Sequence, residues 1–271
     1  MTKITILGAA GRMGGALIRG IANTPGLALA AAVDRADHPM AGKDAGITSG
    51  IAALNIPITG DRATAIAKAD VVIDFTFHSE APASIQEAVK INVAYVLGTT
   101  GLTDAEADGV KQAATKIPVV WAPNFSLGVN VLLDLVRRAA KVLDDSYDAE
   151  IVEMHHKHKK DAPSGTALGL GKALAQGRNV DLKDVALYGR EGTLSQGITG
   201  ERKRGDIAFH ALRGGDVVGD HTVIFAADGE RVEITHKASN RDCFALGALK
   251  AAQWLKGKQP GLYSMTDVLG L

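Results

Sequence analysis

The sequence predicts an α/β protein: a doubly wound parallel sheet, then a second α+β domain built on a mixed or antiparallel sheet. Three observations predict it. Short apolar β-like runs alternate with helical stretches as far as Trp121. The chain is 46% hydrophobic but only 4% aromatic, so its cores must be aliphatic, as buried parallel sheets and their covering helices usually are. After Trp121 the rhythm changes to a longer helix and then to strands joined by a hairpin turn.

Residues 4–7 read as a strand and 12–22 as a helix. A second strand spans 27–33, and Val71-Val72-Ile73 is another, entered from Asp70 and left at Asp74. Strands at 93–97 and 119–121 follow, with helices near 81–90 and 104–114 between them. Residues 127–143 read as a longer helix, with Val129, Leu132, Leu133, Val136, Ala140 and Leu143 at helical spacing. Residues 149–155 read as a strand and 167–175 as a helix. The stretch 207–236 has an antiparallel pattern, in which 216–227 and 230–236 flank Ala227-Asp228-Gly229, a hairpin turn. A last helix, 244–255, carries Leu246, Leu249, Ala252 and Trp254. The loop-like stretch 189–205, with Arg190, Arg202, Lys203 and Arg204, reads as a mobile connection. The expected division is residues 1–126, rejoined by 237–271, and a second domain at 127–236.

The 271 residues carry 30 Lys+Arg against 30 Asp+Glu. Zero net charge argues against nucleic acid or an anionic membrane as the main partner. The single Cys243 has no internal partner and fits a reducing compartment. No signal-peptide pattern and no membrane-length apolar run is present, so the sequence predicts a cytoplasmic protein.

The first strand runs into Gly8-Ala9-Ala10-Gly11-Arg12-Met13-Gly14 and a helix. Glycines there allow a tight turn and close approach of backbone to a pyrophosphate, and the helix start supplies N–H groups and partial positive charge. Asp34 ends the next strand, where an acidic residue holds a ribose hydroxyl. Together these predict a Rossmann-type dinucleotide site, although glycines also serve turn geometry alone. Arg12 would add charge near the phosphates or lie on an exposed helix face. Asp34 favours NADH and Arg35 can meet a 2′-phosphate, so NADH and NADPH are both expected. Gly98-Thr99-Thr100-Gly101 and Ala122-Pro123-Asn124-Phe125 follow parallel strands and are candidates for further cofactor contacts, or are ordinary turns.

The densest chemistry lies at Glu153-Met154-His155-His156-Lys157-His158-Lys159-Lys160-Asp161-Ala162-Pro163-Ser164-Gly165-Thr166. Strand alternation puts Glu153, His155 and Lys157 on one side and His156 and His158 on the other. The histidines therefore do not converge, flanking lysines repel a cation, and no metal is expected. A solvated basic patch is the bland alternative. However, Pro163-Ser164-Gly165-Thr166 leads into an apolar helix that Ser164 or Thr166 can cap, and a helix start beside lysines suits a small polyanion such as a dicarboxylate.

The pattern E-x-H-H-x-x-K-x-D-x-P-S-G-T resembles the signature of the dihydrodipicolinate reductase family at every fixed position. The resemblance extends to the glycine turn, to Gly98-Thr99-Thr100-Gly101, to the run Asn124 to Asn130, and to His236-Lys237-Ala238 with Arg241. It implies hydride transfer from NADH or NADPH to C4 of a cyclic dicarboxylate, after loss of water, in lysine and diaminopimelate biosynthesis. It further implies His155 as proton donor/acceptor and Lys159 as proton donor, with His156, Gly165 and Thr166 binding substrate. Gly8, Ala9, Ala10, Gly11, Arg12, Met13, Asp34, Arg35, Gly98, Thr99, Thr100, Ala122, Pro123, Asn124 and Phe125 match cofactor contacts. Homotetramers formed through the second domain are implied as well. A reference lysine (pKa about 10.4) is protonated at neutral pH and a reference histidine (about 6.5) mostly is not, so Lys159 is the better resting acid and His155 orients or shuttles. Another Rossmann amino-acid dehydrogenase, or a non-catalytic NAD(P)H sensor, would explain the first domain but not the His-Lys segment.

Overall fold

A computed structural model describes residues 1–189, 192–193, 197–198 and 201–271. The chain forms two compact units, Met1–Leu127 with Arg241–Leu271, and Gly128–Asn240.

In the first unit, strands β1 (Thr2–Leu7), β2 (Leu27–Val33), β3 (Ile58–Thr59), β4 (Val71–Asp74), β5 (Ala94–Leu97) and β6 (Pro118–Trp121) alternate with helices α1 (Arg12–Ala22), α2 (Ala45–Thr48), α3 (Arg62–Ile66), α4 (Ala81–Lys90) and α5 (Asp104–Ala114). All pairings are parallel. The chain winds outward from β1 in both directions, so the strand order reverses between β1 and β4. That is where open α/β sheets place ligands, beyond the carboxyl ends of the strands. Alternation along β1 sends Ile4 and Ile6 into a core with Leu17 and Ile18 of α1. Leu7 and Val72 face a second core, with Ile85 and Val110. Each strand is thus buried on both faces, which explains its unbroken apolar run.

The second unit contains helices α6 (Leu127–Val142), α7 (Gly165–Arg178) and α8 (Leu182–Val185). Its strands are β7 (Asp148–His155), β8 (Ala186–Tyr188), the ribbon β9 (Gly192–Thr193) and β10 (Gly197–Ile198), β11 (Ile207–Arg213), β12 (Gly219–Ala227) and β13 (Glu230–Ala238). The chain then returns to the first unit as α9 (Asp242–Leu255), β14 (Gly261–Tyr263) and α10 (Met265–Leu269). The second sheet has the order β13-β12-β7-β11-β8. Leu132, Val136, Leu170 and Leu174 of α6 and α7 pack on one of its faces, against Ile151, Phe209, Val223 and Phe225.

Several expectations need correction. The 207–236 stretch is not uniformly antiparallel: β11 pairs parallel with both β7 and β8, and only β12 pairs antiparallel with its neighbours. Alternation reports which face is buried but not strand direction, so the local pattern cannot separate the two cases. The hairpin is as expected, with Ala227 opposite Glu230 and Gly229 at φ +88°. The helix placed at 167–175 runs further at both ends, to Arg178. Its cap is Ser164, whose Oγ accepts from Ala167 N–H. On α9 the buried stripe is Ala245, Ala248, Leu249, Ala252 and Leu255, while Leu246 is half exposed. Small residues face inward there because the backbone packs closely: a Cβ on Gly247 would stand 1.7 Å from Phe125 O. In the expected mobile stretch, Arg190 lies outside the described residues. Arg202 is pinned, donating to Glu150 Oε1 at 2.9 Å and to the carbonyls of Ala149 and Asp206 at 2.7 Å.

Candidate active site

The glycine turn lies in the first unit, where β1 ends. Gly8 takes φ +79°, a conformation open to glycine, and turns the chain so that Gly8 N–H and Ala9 N–H both donate to Val33 O at 2.9 Å. The turn then enters α1, whose Gly11 cap offers no side chain. A Cβ on Gly14 would lie 2.3 Å from Gly8 O and 2.4 Å from Ala9 O, so only glycine lets helix and turn approach this closely. Asp34 closes the arrangement, accepting from Ala10 N–H and Arg35 N–H, each at 2.9 Å. The Arg35 guanidinium is 73% exposed and reaches Asp37 at 3.7 Å.

A cleft of about 1170 Å³ opens beyond these strand ends and is lined by Gly8, Gly11, Asp34, Arg35, Gly98, Thr99 and Thr100 among others. Thr99 is buried and donates to Thr76 O at 3.0 Å, while Thr100 is exposed. The other residues of the expected cofactor set do not line this cleft. Ala9 and Ala122 are core residues, Met13 packs against the same core, and Ala10 contributes its N–H to Asp34. Phe125 is buried with its ring edge-on to Phe75 at 5.7 Å. Asn124 Oδ1 accepts from Ser126 N–H at 2.8 Å, Pro123 is exposed, and Arg12 is exposed at the start of α1. Burial lowers the Arg241 pKa, and the charge of Arg12 adds to that effect.

The polar cluster of the second unit lies on the face of its sheet that carries the core. Glu153 and His155 alternate along β7 with Ala149 and Ile151, and all four are buried. Glu153, 1% exposed, is the hub. Its Oε2 lies 2.6 Å from His155 Nδ1 and accepts from Arg213 at 2.8 Å. Its Oε1 accepts from Arg213 at 2.9 Å and from Ser164 N–H at 3.0 Å. Burial by itself would raise the Glu153 pKa, but the hydrogen bonds from Arg213, His155 and Ser164 hold it below the usual value. His221, 4% exposed, stacks edge-on to His155 at 5.1 Å, and its Nε2 lies 3.0 Å from Ser164 Oγ. Burial, then the proximity of His155, brings the His221 pKa down to about 4. Lys159 is largely shielded, with Nζ 2.8 Å from Asp161 Oδ2. His156 is half-buried, its ring 6.3 Å from that of the exposed His158. Gly165 and Thr166 open α7, where helix N–H groups and partial positive charge favour an anion.

The fold therefore brings His155 together with two residues that sequence reasoning missed, Arg213 and His221. Strand register holds the signal that would have found them: Arg213 stands opposite His155, and His221 opposite Glu153. Ser164 is more than a cap, since the same hydroxyl meets His221. Among the described residues no group of three or more His, Cys, Asp or Glu is arranged to hold a metal ion, and no helix is long and apolar enough to cross a membrane.

Comparison with known proteins covers both units. A family model described as dihydrodipicolinate reductase, N-terminus, matches residues 2–125. Its C-terminal counterpart matches residues 128–269. A 4-hydroxy-tetrahydrodipicolinate reductase of Anaeromyxobacter dehalogenans is 52% identical over 271 residues, spanning 100% of this chain and 98% of the relative. One from Alkalilimnicola ehrlichii is 51% identical over 270 residues, spanning 100% and 99%. Among solved structures, a dipicolinate-bound dihydrodipicolinate reductase from Paenisporosarcina is similar with TM-score 0.77 at 25% identity, covering 98% of each chain. An amine dehydrogenase from Mycobacterium smegmatis, at TM-score 0.66 and 9% identity over 97% of this chain and 95% of that one, shares the fold alone.

Proposed function

The chain belongs to the dihydrodipicolinate reductase family, and on that premise we propose how its residues divide the work of reducing a cyclic dicarboxylate. It is an NAD(P)H-dependent oxidoreductase with the activity of the 4-hydroxy-tetrahydrodipicolinate reductases, within lysine and diaminopimelate biosynthesis. Full-length relatives of that activity disfavour the sensor and the other Rossmann dehydrogenases as readings.

The glycine turn fits the cofactor, because Gly8 and Gly11 line the cleft as bare backbone and Gly14 lets the start of α1 stand close against the turn. Bound there, NAD(P)H supplies the hydride. Gly8 and Gly11, which line the cleft, would hold the pyrophosphate, with Arg12 at the exposed start of α1 adding charge. Gly98, Thr99, Thr100 and the run Ala122 to Phe125 shape the nicotinamide end. Asp34, oriented by two backbone N–H groups, holds ribose hydroxyls, and Arg35 is exposed enough to meet a 2′-phosphate. Either nucleotide serves on this reading. Arg35→Ala is expected to lower kcat/KM with NADPH while leaving the NADH value nearly unchanged. Equal losses with both cofactors would remove Arg35 from the 2′-phosphate site.

One observation carries the substrate side: His155, clamped by Glu153, and Lys159 belong to the short segment that leads into the start of α7. His156 and the N–H groups of Gly165 and Thr166 hold a substrate carboxylate, for which a helix start is suited. Hydride addition at C4 leaves negative charge that a proton must quench. Lys159 supplies that proton and steadies a carboxylate, and His155 orients and shuttles at its ring nitrogen. The dipicolinate-bound neighbour supports a small dicarboxylate as the substrate. NADH oxidation with substrate generated in place from aspartate semialdehyde and pyruvate tests the reading. Competitive inhibition by pyridine-2,6-dicarboxylate tests the carboxylate site. Cofactor binding without turnover or inhibition would overturn it.

Among the described residues, the face of the second sheet opposite α6 and α7 supports a homotetramer. Val152, Met154 and Ile224 stand on it half-buried, opposite the face that α6 and α7 cover. A cytoplasmic location accords with the biosynthetic role and the lone Cys243.

A further inference from the structure

We infer that Glu153, clamped by Arg213, is a positioning residue for His155, holding a hydrogen on Nδ1 so that Nε2 is the nitrogen that handles the proton. The inference rests on the reading of His155 as a proton-transfer residue. Three geometric facts carry it. First, Glu153 Oε2 lies 2.6 Å from His155 Nδ1, and the side chains of Glu153 and His155 are 1% and 11% exposed. Second, Arg213 meets the carboxylate with a two-pronged fork, at 2.8 and 2.9 Å, while Ser164 N–H donates to the oxygen that His155 does not use. Both carboxylate oxygens are engaged, so the group cannot rotate without breaking several bonds at once. Third, a Cβ built on Gly219 would stand only 3.0 Å from His155 Nε2, so glycine keeps that side of the ring clear.

The chemistry follows from which group owns the shared hydrogen. Glu153 with Arg213 against it is ionised, and an ionised carboxylate only accepts. The hydrogen therefore sits on Nδ1, and neutral His155 carries its lone pair on Nε2. When Nε2 takes up a proton, the carboxylate also steadies the resulting imidazolium, as in other carboxylate–histidine pairs. The other ring nearby does not compete for Glu153: His221 is kept neutral by burial, and its Nε2 is engaged with Ser164 Oγ. Arg213 acts one step further out, holding the residue that holds His155.

Nitrogen-15 NMR of the histidine-labelled whole protein reads the tautomer directly and needs no variant. The Nδ1–H form is expected for His155, and the Nε2–H form would overturn the inference. In kinetics, Glu153→Gln removes the charge and leaves one acceptor oxygen where His155 Nδ1 and Ser164 N–H now use two. It is expected to lower kcat by about 10²–10⁴-fold with KM little changed, and to shift His155 away from the Nδ1–H form. Added to His155→Gln, it should cost nothing more in kcat. A further loss on that background would mean that Glu153 acts other than through His155, and would overturn the proposal. Normal turnover of His155→Gln would instead defeat the underlying reading of His155, whatever its tautomer. Should Glu153→Gln not fold, Arg213→Lys keeps the charge and loses the fork. Wild-type kcat and an unchanged tautomer in that variant would remove the clamp.

Discussion

At the scale of single residues, the site depends on charges held in place by partners close in sequence or in space. Lys159 is the simplest case, its Nζ drawn to Asp161 two residues on. Lys159→Ala is expected to lower kcat by about 10²–10⁴-fold, the usual range for a positioned acid, with cofactor affinity nearly unchanged. Stopped-flow turnover alongside a cofactor titration measures both, and near-normal turnover in a folded variant would withdraw the role. His221 gives a prediction in stability instead. In the fold burial brings its pKa down to about 4, from the 6.5 of an ordinary histidine. The unfolded chain therefore binds the proton more readily, and stability is lost as pH falls from about 6.5 towards about 4. By linkage the loss from this group approaches about 3 kcal/mol. His236, also lowered by burial, contributes with the same sign. Urea titrations of wild type and His221→Asn at pH 7 and pH 4.5 isolate the His221 part: the variant should lose less stability across that interval. Equal losses would mean that His221 is not held neutral. Alternation along one strand made Glu153 and His155 legible as face-sharing neighbours. Nothing local marks Arg213 or His221, which reach Glu153 and Ser164 across 60 and 57 residues.

At the scale of elements, the glycine turn packs strand, turn and helix closely together. Gly14 sits in the first turn of α1, and an added methyl group would meet Gly8 O and Ala9 O at 2.3 and 2.4 Å. Both obstacles are backbone, so α1 must shift rather than a side chain rotate. Gly14→Ala is expected to weaken NADH binding at least tenfold and to destabilise the fold by roughly 1–3 kcal/mol, as overpacked sites do. Isothermal titration and thermal melts read the two effects, and unchanged values for both would show that the turn tolerates the methyl group. Helices were legible where a cap or a periodic stripe marked them, as with Ser164 ahead of α7 and the spacing along α6. Short elements were not: β3 has two residues, β14 has three and α2 has four, too few to display any period. On α9 Leu249 and Ala252 of the expected set are buried and Trp254 packs against the core, while Leu246 is half exposed.

At the scale of the molecule, α6 and α7 cover one face of the second sheet, and among the described residues no helix covers the other. Among the described residues the open face pairs Thr222 with Thr235 hydroxyl to hydroxyl at 3.0 Å, beside Ile224 and Val152. A tetramer formed there would bury these side chains. Ile224→Glu is expected to shift the protein to smaller species in sedimentation velocity while its circular dichroism stays folded. An unchanged sedimentation coefficient would rule this face out as the subunit contact. The sequence by itself determined the fold class, the order of most elements, the glycine turn with Asp34, and the segment from Glu153 to Thr166. Those signals are local: periodicity, caps, turn chemistry and the spacing of a motif all act within a few residues. Tertiary structure alone decided that β11 runs parallel to β7, and with it that Arg213 stands opposite His155 and forks onto Glu153. Strand partners are chosen by burial of whole faces and by long loop closures. The residues that complete the site are therefore set by register, which no short window of sequence contains.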